Sequence, residues 1–235
     1  MRKRTKAALI AVVCVLALGA TAAVAGPLIY RDLFATPAAE APTLTAEDSA
    51  LEPNSTRPVD LESLSGEWIV AAGSEAGYRV NEVLNGVDVT VTGRTAEVTG
   101  GLTVNELTLE SAEFTVDVAS ISTDSSNRDS YFRDDAMQVA VHPTATFRLT
   151  SPVTTSAPPL AGETVEHELT GELTLAGVTR TVTFTAQART DGSIGEIAGQ
   201  IPITFSDFGV TAPSLGFVSV EDSGYVEFQL VLERA

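Results

Sequence analysis

The chain has 235 residues and carries 31 Asp and Glu against 14 Lys and Arg, for a formal net charge of −17. The cations Arg2, Lys3, Arg4 and Lys6 all precede the first apolar run, so the remainder of the chain is still more acidic. An acidic surface repels nucleic-acid phosphates and anionic lipid headgroups, which argues against both as partners of that remainder. The single cysteine, Cys14, excludes an intrachain disulfide and a cysteine-based metal site.

Residues 1–30 are predicted to be a membrane anchor or a cleaved signal peptide. An apolar run covers residues 7–25, and Tyr30 would lie at its interfacial edge. The run matches the ~20 residues that a bilayer requires, which favours an anchor. A cleaved signal would use the small residues of Ala23-Val24-Ala25. In both cases the basic end stays in the cytoplasm, so we expect the following domain outside it, on the cell membrane or secreted after cleavage.

Residues 31–60 are predicted to form a disordered linker. Ala, Pro, Thr, Glu and Ser dominate this stretch, and its apolar residues show no periodicity. Such a composition buries too little apolar surface to fold by itself. The linker would let the next domain stand off the membrane.

Residues 61–235 are predicted to form one all-β domain. Apolar and polar residues alternate in many short runs, which is typical of strands with one buried face and one wet face. The clearest runs are 87–92, 113–118, 168–175, 181–188 and 225–232.

Tight turns join several of these runs. Asn85-Gly86 stands between two alternating stretches, and this pair favours a hairpin because both turn residues take positive φ. Ala176-Gly177 and Asp191-Gly192 mark two further turns. Roughly eight antiparallel strands without long helices are best closed as a barrel, since closure removes exposed edges. A two-sheet sandwich is the alternative.

The predicted inward face mixes small and aromatic residues. Ala112, Ala145, Gly171, Ala186 and Ala188 are small, and four phenylalanines are spaced between them. Such a wall either packs solid or leaves room for a long, thin apolar ligand. The candidate ligand-contacting aromatics of the strands are Phe114, Phe147, Phe184 and Phe228.

A short helical insertion at 122–137 interrupts the strands, and an interruption of this kind is where a site is expected. Arg128 and Asp129 could meet a ligand head at the mouth of the barrel, or they could cap the helix and fix the loop. Tyr131, Phe132 and Met137 are spaced to share one helix face. That face would plug one end of the barrel and contact a ligand there.

Several stretches in order resemble the YceI-like family of lipocalin-like barrels, which is associated with polyisoprenoid binding. The similarity covers about residues 61–233. The matching stretches are Gly77-Tyr-Arg-Val80, Val91-Thr-Gly93, Thr99-Gly100, Val116-Asp-Val-Ala-Ser-Ile-Ser-Thr123 with Asn127-Arg128-Asp129, His142-Pro-Thr-Ala-Thr-Phe147, Leu169-Thr-Gly-Glu-Leu-Thr-Leu-Ala-Gly-Val-Thr-Arg180 and Asp207-Phe-Gly-Val210.

The chain departs from this family where many members have a histidine after the opening strand, because Asn81-Glu82 stands there. Tyr131-Phe132 replaces a frequent histidine and leucine, and His142 replaces a tyrosine. These departures affect polar roles at the ligand head and leave the apolar barrel unchanged.

The residues offer no catalytic constellation, and we expect neither an enzyme, a cofactor nor a metal. Glu166, His167 and Glu168 are adjacent on a strand, predicted with His167 facing outward, so their side chains cannot converge on one ion. The resemblance implies a binding protein that holds a polyprenyl phosphate or an isoprenoid quinone. The alternative is an extracytoplasmic protein-interaction module with a solid core.

Overall fold

The computed structural model describes residues 37–44, 56–84, 86–214, 216 and 218–235. The predicted anchor or signal at 1–30 lies outside these residues, as does most of the predicted linker. Within the described part of the chain, no helix combines the length and apolar character needed to cross a bilayer.

Eleven strands make up most of the described domain, and short helical turns separate some of them. The strands are β1 Gly66–Val70, β2 Glu75–Leu84, β3 Val87–Thr95, β4 Val98–Asn105, β5 Thr108–Asp117, β6 Thr144–Leu149, β7 Val153–Thr154, β8 Val165–Leu175, β9 Val178–Thr190, β10 Ile194–Thr204 and β11 Val218–Arg234. The α-helices are α1 Leu61–Leu64 and α2 Ser126–Tyr131, with a π-helical turn at Phe132–Ala136 and 3₁₀ turns at Val118–Ser120 and Phe205–Phe208.

The strands form a single antiparallel sheet that closes on itself. Its order is β1-β4-β5-β6-β8-β9-β10-β11-β2-β3, and β1 also pairs with the end of β11. Eight strands, from β1 through β4 to β11, therefore complete a ring, while β2 and β3 continue the wall from the first half of β11. The predicted antiparallel barrel of about eight strands is confirmed, and the alternative of a two-sheet sandwich is wrong.

The predicted tight turns are present at their predicted positions. Leu84 pairs with Val87 and Gly86 has a φ of 80°, whereas Asn85 lies outside the described residues. Ala176 and Gly177 have φ values of 46° and 77°, as a type I′ turn requires. These turns set the strand register and thereby decide which side chains enter the interior.

The strand alternation places a continuous apolar core inside the ring. Its largest cluster combines strand residues with residues of the helical insertion and of the 3₁₀ turn at 205–208. The buried members of this cluster are Val118, Met137, Leu173, Leu175, Phe184, Ala186, Ile201 and Phe208.

A buried carboxylate on the outer wall organises a second, polar cluster. Glu227 of β11 is 0% exposed, although its neighbours Val226 and Phe228 point into the barrel. Arg79 Nε donates to its Oε1 at 2.6 Å, and Arg94 and Gln200 donate to the same carboxylate. Three donors from the neighbouring strands therefore satisfy Glu227 and tie β2, β3 and β10 to β11.

Residues 37–44 lie across this outer wall. The Ala39 amide donates to Thr92 Oγ1 at 3.2 Å, and Arg79 Nη2 donates to the Ala39 carbonyl at 2.5 Å. At the other end the Leu44 amide donates to Gln187 Oε1 at 3.0 Å. The contacts run from β3 and β2 to β9, so the segment crosses β11 and β10 above Glu227. This part of the predicted linker is in contact with the barrel.

Replacing the buried carboxylate should destabilise the barrel far more than replacing an exposed one. Glu227→Gln leaves two guanidinium groups without their buried partner, so we expect a loss of about 3 kcal/mol in the free energy of unfolding. The matched control is Glu172→Gln, whose pair with Arg148 is exposed and should contribute less than about 1 kcal/mol. Urea unfolding followed by tryptophan fluorescence measures both, and equal losses for the two variants would contradict the assignment.

Candidate ligand-binding site

The interior of the barrel contains three cavities in a row along its axis. The largest, called here the main cavity, has a volume of about 480 Å³ and lies at the end closed by the helical insertion. A narrow cavity of about 80 Å³ occupies the middle, and one of about 190 Å³ lies towards Trp68 at the opposite end. Neighbouring cavities share wall residues, Ala76 and Val116 on one side and Leu109 and Ile197 on the other. Together they follow the whole length of the barrel.

The main cavity has a predominantly apolar wall built from strands, the insertion and the loop after the last 3₁₀ turn. Strand β2 contributes alternate residues, because these share the inward face of the sheet. The apolar residues of the wall include Val80, Leu84, Val116, Val118, Ile121, Ala145, Leu175, Ile203, Phe208, Val210, Pro213, Val218 and Val226.

The four strand phenylalanines predicted to contact a ligand lie in the middle of the barrel. Phe114, Phe147, Phe184 and Phe228 all line the narrow cavity. The rings of Phe147 and Phe184 are 5.4 Å apart edge to face, and those of Phe184 and Phe228 are 5.9 Å apart in the same manner. Aromatic rings in this arrangement attract one another, so they narrow the interior to a waist between the two wider cavities.

The helical insertion forms one wall of the main cavity. The Ser125 hydroxyl accepts from the Arg128 amide and caps α2, as expected for a serine at this position. Tyr131, Phe132 and Met137 all line the cavity, which is where the shared helix face was predicted to lie. The ring of Phe132 stacks on Tyr78 of β2 with centroids 4.7 Å apart, so the insertion is attached to the barrel wall.

Arg128 and Asp129 are adjacent in sequence but bind different partners. Arg128 lines the main cavity, where its Nη2 donates to Glu82 Oε1 at 2.9 Å and its Nη1 donates to Asp124 Oδ1 at 2.7 Å. Asp129 is not among the residues that line this cavity. Its Oδ1 accepts from the amide and the hydroxyl of Thr123 at 2.8 and 2.7 Å, which fixes the loop before α2.

Burial and nearby charges both shift the pKa values of polar groups in the main cavity. Burial raises the pKa of the Tyr78 hydroxyl, and the nearby positive charge of Arg128 only partly offsets this effect. Burial by itself would lower the pKa of Arg128, but the hydrogen bond and the charge of Glu82 outweigh it and raise the pKa. The phenol is therefore held neutral and the guanidinium is held charged.

His167 faces the interior, which corrects the outward orientation predicted for it. It lines the cavity near Trp68 together with Leu169, because both share the inward parity of β8. Burial lowers the pKa of its imidazole. Glu166 and Glu168 are exposed on the opposite face, so the three side chains diverge, and no group of three or more acidic, His or Cys residues in the described part could hold a metal.

A separate groove of about 690 Å³ lies on the outer wall and is more polar than the interior. Its wall includes Arg79, Arg180, Glu221 and Tyr225, and it holds none of the predicted site residues. Most residues of this groove alternate with the inward residues of the same strands, but Val80, Ile203 and Phe208 line both the groove and the main cavity. The groove therefore lies on the outer wall next to the main cavity.

The sequence prediction missed Tyr78 and Glu82 as cavity residues. Both have the inward parity of Val80 and Leu84 on β2. A glutamate on an otherwise apolar strand face was the available signal, because a buried carboxylate requires a partner. That partner, Arg128, lies 46 residues away in sequence.

Comparisons with known proteins agree with this architecture. The model of the YceI-like domain family matches residues 68–232. A polyisoprenoid-binding domain from Saccharophagus degradans, implicated in plant cell wall breakdown, is similar with a TM-score of 0.55 at 15% identity, over 73% of this chain and 99% of that one. BcnA from Burkholderia cenocepacia is similar with a TM-score of 0.52 at 24% identity, over 74% and 98%. No curated protein matches the chain.

The carboxylate of Asp129 should stabilise the loop that carries Arg128. Asp129→Ala leaves two donors of Thr123 without their charged acceptor, so we expect the free energy of unfolding to fall by about 2 kcal/mol. Asp134→Ala is the control, because this exposed carboxylate accepts no hydrogen bond from the described residues, and its replacement should cost less than about 0.5 kcal/mol. Urea titration measures both variants. Indistinguishable midpoints would show that the Thr123 contacts contribute nothing.

Proposed function

Because the chain belongs to the YceI-like domain family, we propose that it is a binding protein that holds an isoprenoid lipid in its apolar interior and catalyses no reaction. The observation that carries this proposal is the main cavity, with its apolar wall and its volume of about 480 Å³ inside the closed barrel. Ligand sites in proteins typically have volumes of about 300–1,000 Å³ and are lined mostly by apolar side chains, with a few polar groups that orient the ligand.

The shape of the interior fits a long apolar chain with a polar head. The polar groups Tyr78, Glu82 and Arg128 gather at the main cavity, while the waist is lined almost entirely by apolar side chains. The far cavity is lined mostly by apolar side chains, together with His167 and the buried pair of Arg189 and Glu196. Each Å² of apolar chain removed from water contributes about 25 cal/mol, so a prenyl tail gains more binding energy the further it enters. A tail that passes the waist must displace the rings of Phe147, Phe184 and Phe228.

The similar domain from Saccharophagus degradans is described as polyisoprenoid-binding, which supports the ligand class. Two lipid classes satisfy the apolar interior, a polyprenyl phosphate and an isoprenoid quinone. The alternative function, an interaction module with a solid core, requires an interior without voids. The main cavity favours the lipid carrier over that alternative.

We also propose that the domain lies outside the cytoplasm, attached to the membrane. The basic residues before the apolar run at 7–25 support export of the acidic domain, with the run as its membrane anchor. A carrier beside a bilayer can exchange lipid with it, whereas a prenyl lipid is too insoluble to diffuse through water without a carrier. The barrel would thus hold its ligand next to the membrane from which the ligand comes.

Purified protein should carry an isoprenoid lipid, and a bulky residue in the main cavity should displace it. Ala145→Phe places a ring between the main and middle cavities, so we expect the lipid extracted from this variant to fall at least about tenfold. Ala140→Phe makes the same change at an exposed turn and should retain the lipid. Mass spectrometry of organic extracts measures the lipid, and thermal unfolding shows that both variants fold. Preparations of the unaltered protein that repeatedly contain no isoprenoid would contradict the proposal.

The N-terminal region should determine whether the protein remains with the membrane. If residues 7–25 form an anchor, the full chain sediments with membranes and a chain starting at residue 31 does not. If the region is a signal peptide, the mature mass corresponds to a start after Ala25. Protease added outside intact cells should digest the domain in the first case. Recovery of the intact full-length chain in the cytoplasmic fraction would contradict both interpretations.

A further inference from the structure

The charges at the main cavity are unusual for a site that would receive an anion. Arg128 is the single cation among the described residues that line this cavity, and Glu82 is the single carboxylate. Glu82 is 5% exposed, and its side chain points inward from β2. The guanidinium and the carboxylate are 2.9 Å apart, so they neutralise each other at the cavity wall.

Both terminal nitrogens of Arg128 already donate to carboxylates. One terminal nitrogen donates to Glu82 and the other to Asp124. The groups whose charges act on the nearby Tyr78 hydroxyl are Arg128, Asp129, Glu82 and Asp124. Three carboxylates thus accompany one guanidinium, which leaves an excess of two negative charges around the polar end of the cavity.

A lipid phosphate would have to compete with these carboxylates for Arg128. Its own negative charge would be repelled at short range by the buried Glu82, where water screens poorly, and more weakly by the exposed Asp124. If Arg128 turned towards the phosphate, the buried Glu82 would lose its partner, and an unpaired buried charge is strongly unfavourable. A phosphate head therefore gains one contact only by breaking another.

An uncharged polar head is not repelled by the carboxylates and does not compete with them for Arg128. The Tyr78 hydroxyl has no hydrogen-bond partner among the residues that the structure describes, and it lies in the cavity wall. Because burial keeps this hydroxyl protonated, it can donate to a carbonyl oxygen. The Asn127 side chain also lines the cavity and supplies both a donor and an acceptor. A quinone carbonyl can accept from either group without disturbing the ion pair.

Given the proposed lipid-binding function, on which this inference rests, we propose that the main cavity selects isoprenoid quinones over polyprenyl phosphates and that Glu82 is the residue that sets this choice. Glu82 acts twice, because it occupies Arg128 and because it repels an anionic head. Asp124 adds to both effects from a more exposed position, with 44% of its side chain accessible. The paired Arg128 is thus part of the wall and does not serve as an anion receptor.

Three probes with the same twenty-carbon tail test the choice of head, namely menaquinone-4, geranylgeraniol and geranylgeranyl phosphate. The delipidated full chain is titrated with each probe by calorimetry in the same detergent. We expect menaquinone-4 to bind at least about tenfold more tightly than geranylgeranyl phosphate. In Glu82→Gln the phosphate should gain at least about tenfold while the quinone changes less than about threefold. Glu168→Gln removes an exposed glutamate from the outer face of β8 and should leave both affinities unchanged.

Each result of these titrations has a defined meaning. Phosphate binding as tight as quinone binding by the unaltered protein would overturn the choice of head while leaving the proposed function intact. Failure of all three probes would overturn the proposed function, and this inference with it. If Glu82→Gln does not fold, Asp124→Asn replaces it, with a smaller gain for the phosphate expected. An unchanged ratio of affinities in whichever variant folds would overturn the role of the carboxylates.

Discussion

The whole barrel depends on the last strand, because β11 pairs with three other strands. Its 17 residues pair with β10 along most of their length, with β2 between Val218 and Gln229 and with β1 at the end. Leu232 pairs with Val70, which closes the ring. Val226 pairs with Tyr78, so that β2 and β3 extend the wall beyond the ring. One strand thus supplies both the closure and the extra wall height that encloses the main cavity.

Side chains fill the interior of the closed ring to different extents along its axis. In a ring of eight strands the side chains of opposite walls nearly meet, so the size of each inward residue decides whether a gap remains. At the waist Phe184 packs edge to face against both Phe147 and Phe228, and about 80 Å³ remains open. At the insertion end the wall includes small residues, Ala145 of β6 and Ala136 of the helical insertion, and about 480 Å³ remains open. The void follows from the insertion as much as from the strands.

The sequence predicted the fold because its main signals are local. Alternation assigns each residue to one face of a strand, and the turn at Ala176-Gly177 shows positive φ at two consecutive residues. The cavity residues of the insertion were also predicted, since Tyr131, Phe132 and Met137 share a face by helical spacing alone. The position of the void could not be predicted, because it depends on side chains that meet across the barrel from strands distant in sequence. Glu82 was not predicted to line the cavity for the same reason, since its partner Arg128 lies on another element.

Of the three buried carboxylates among the described residues, Glu196 pairs with Arg189, and the other two occupy opposite environments. Glu227 on the outer wall is surrounded by Arg79, Arg94 and Gln200, and the segment 37–44 crosses above it, so no room remains beside it for another molecule. Glu82 has one guanidinium and faces an open cavity. An ion pair buried next to empty apolar space stabilises a fold poorly, since its desolvation cost is not offset by further hydrogen bonds. Groups held in this way are characteristic of functional sites, where local stability is sacrificed for recognition. The outer cluster therefore holds strands together, whereas the inner pair joins the helical insertion to β2 beside the main cavity.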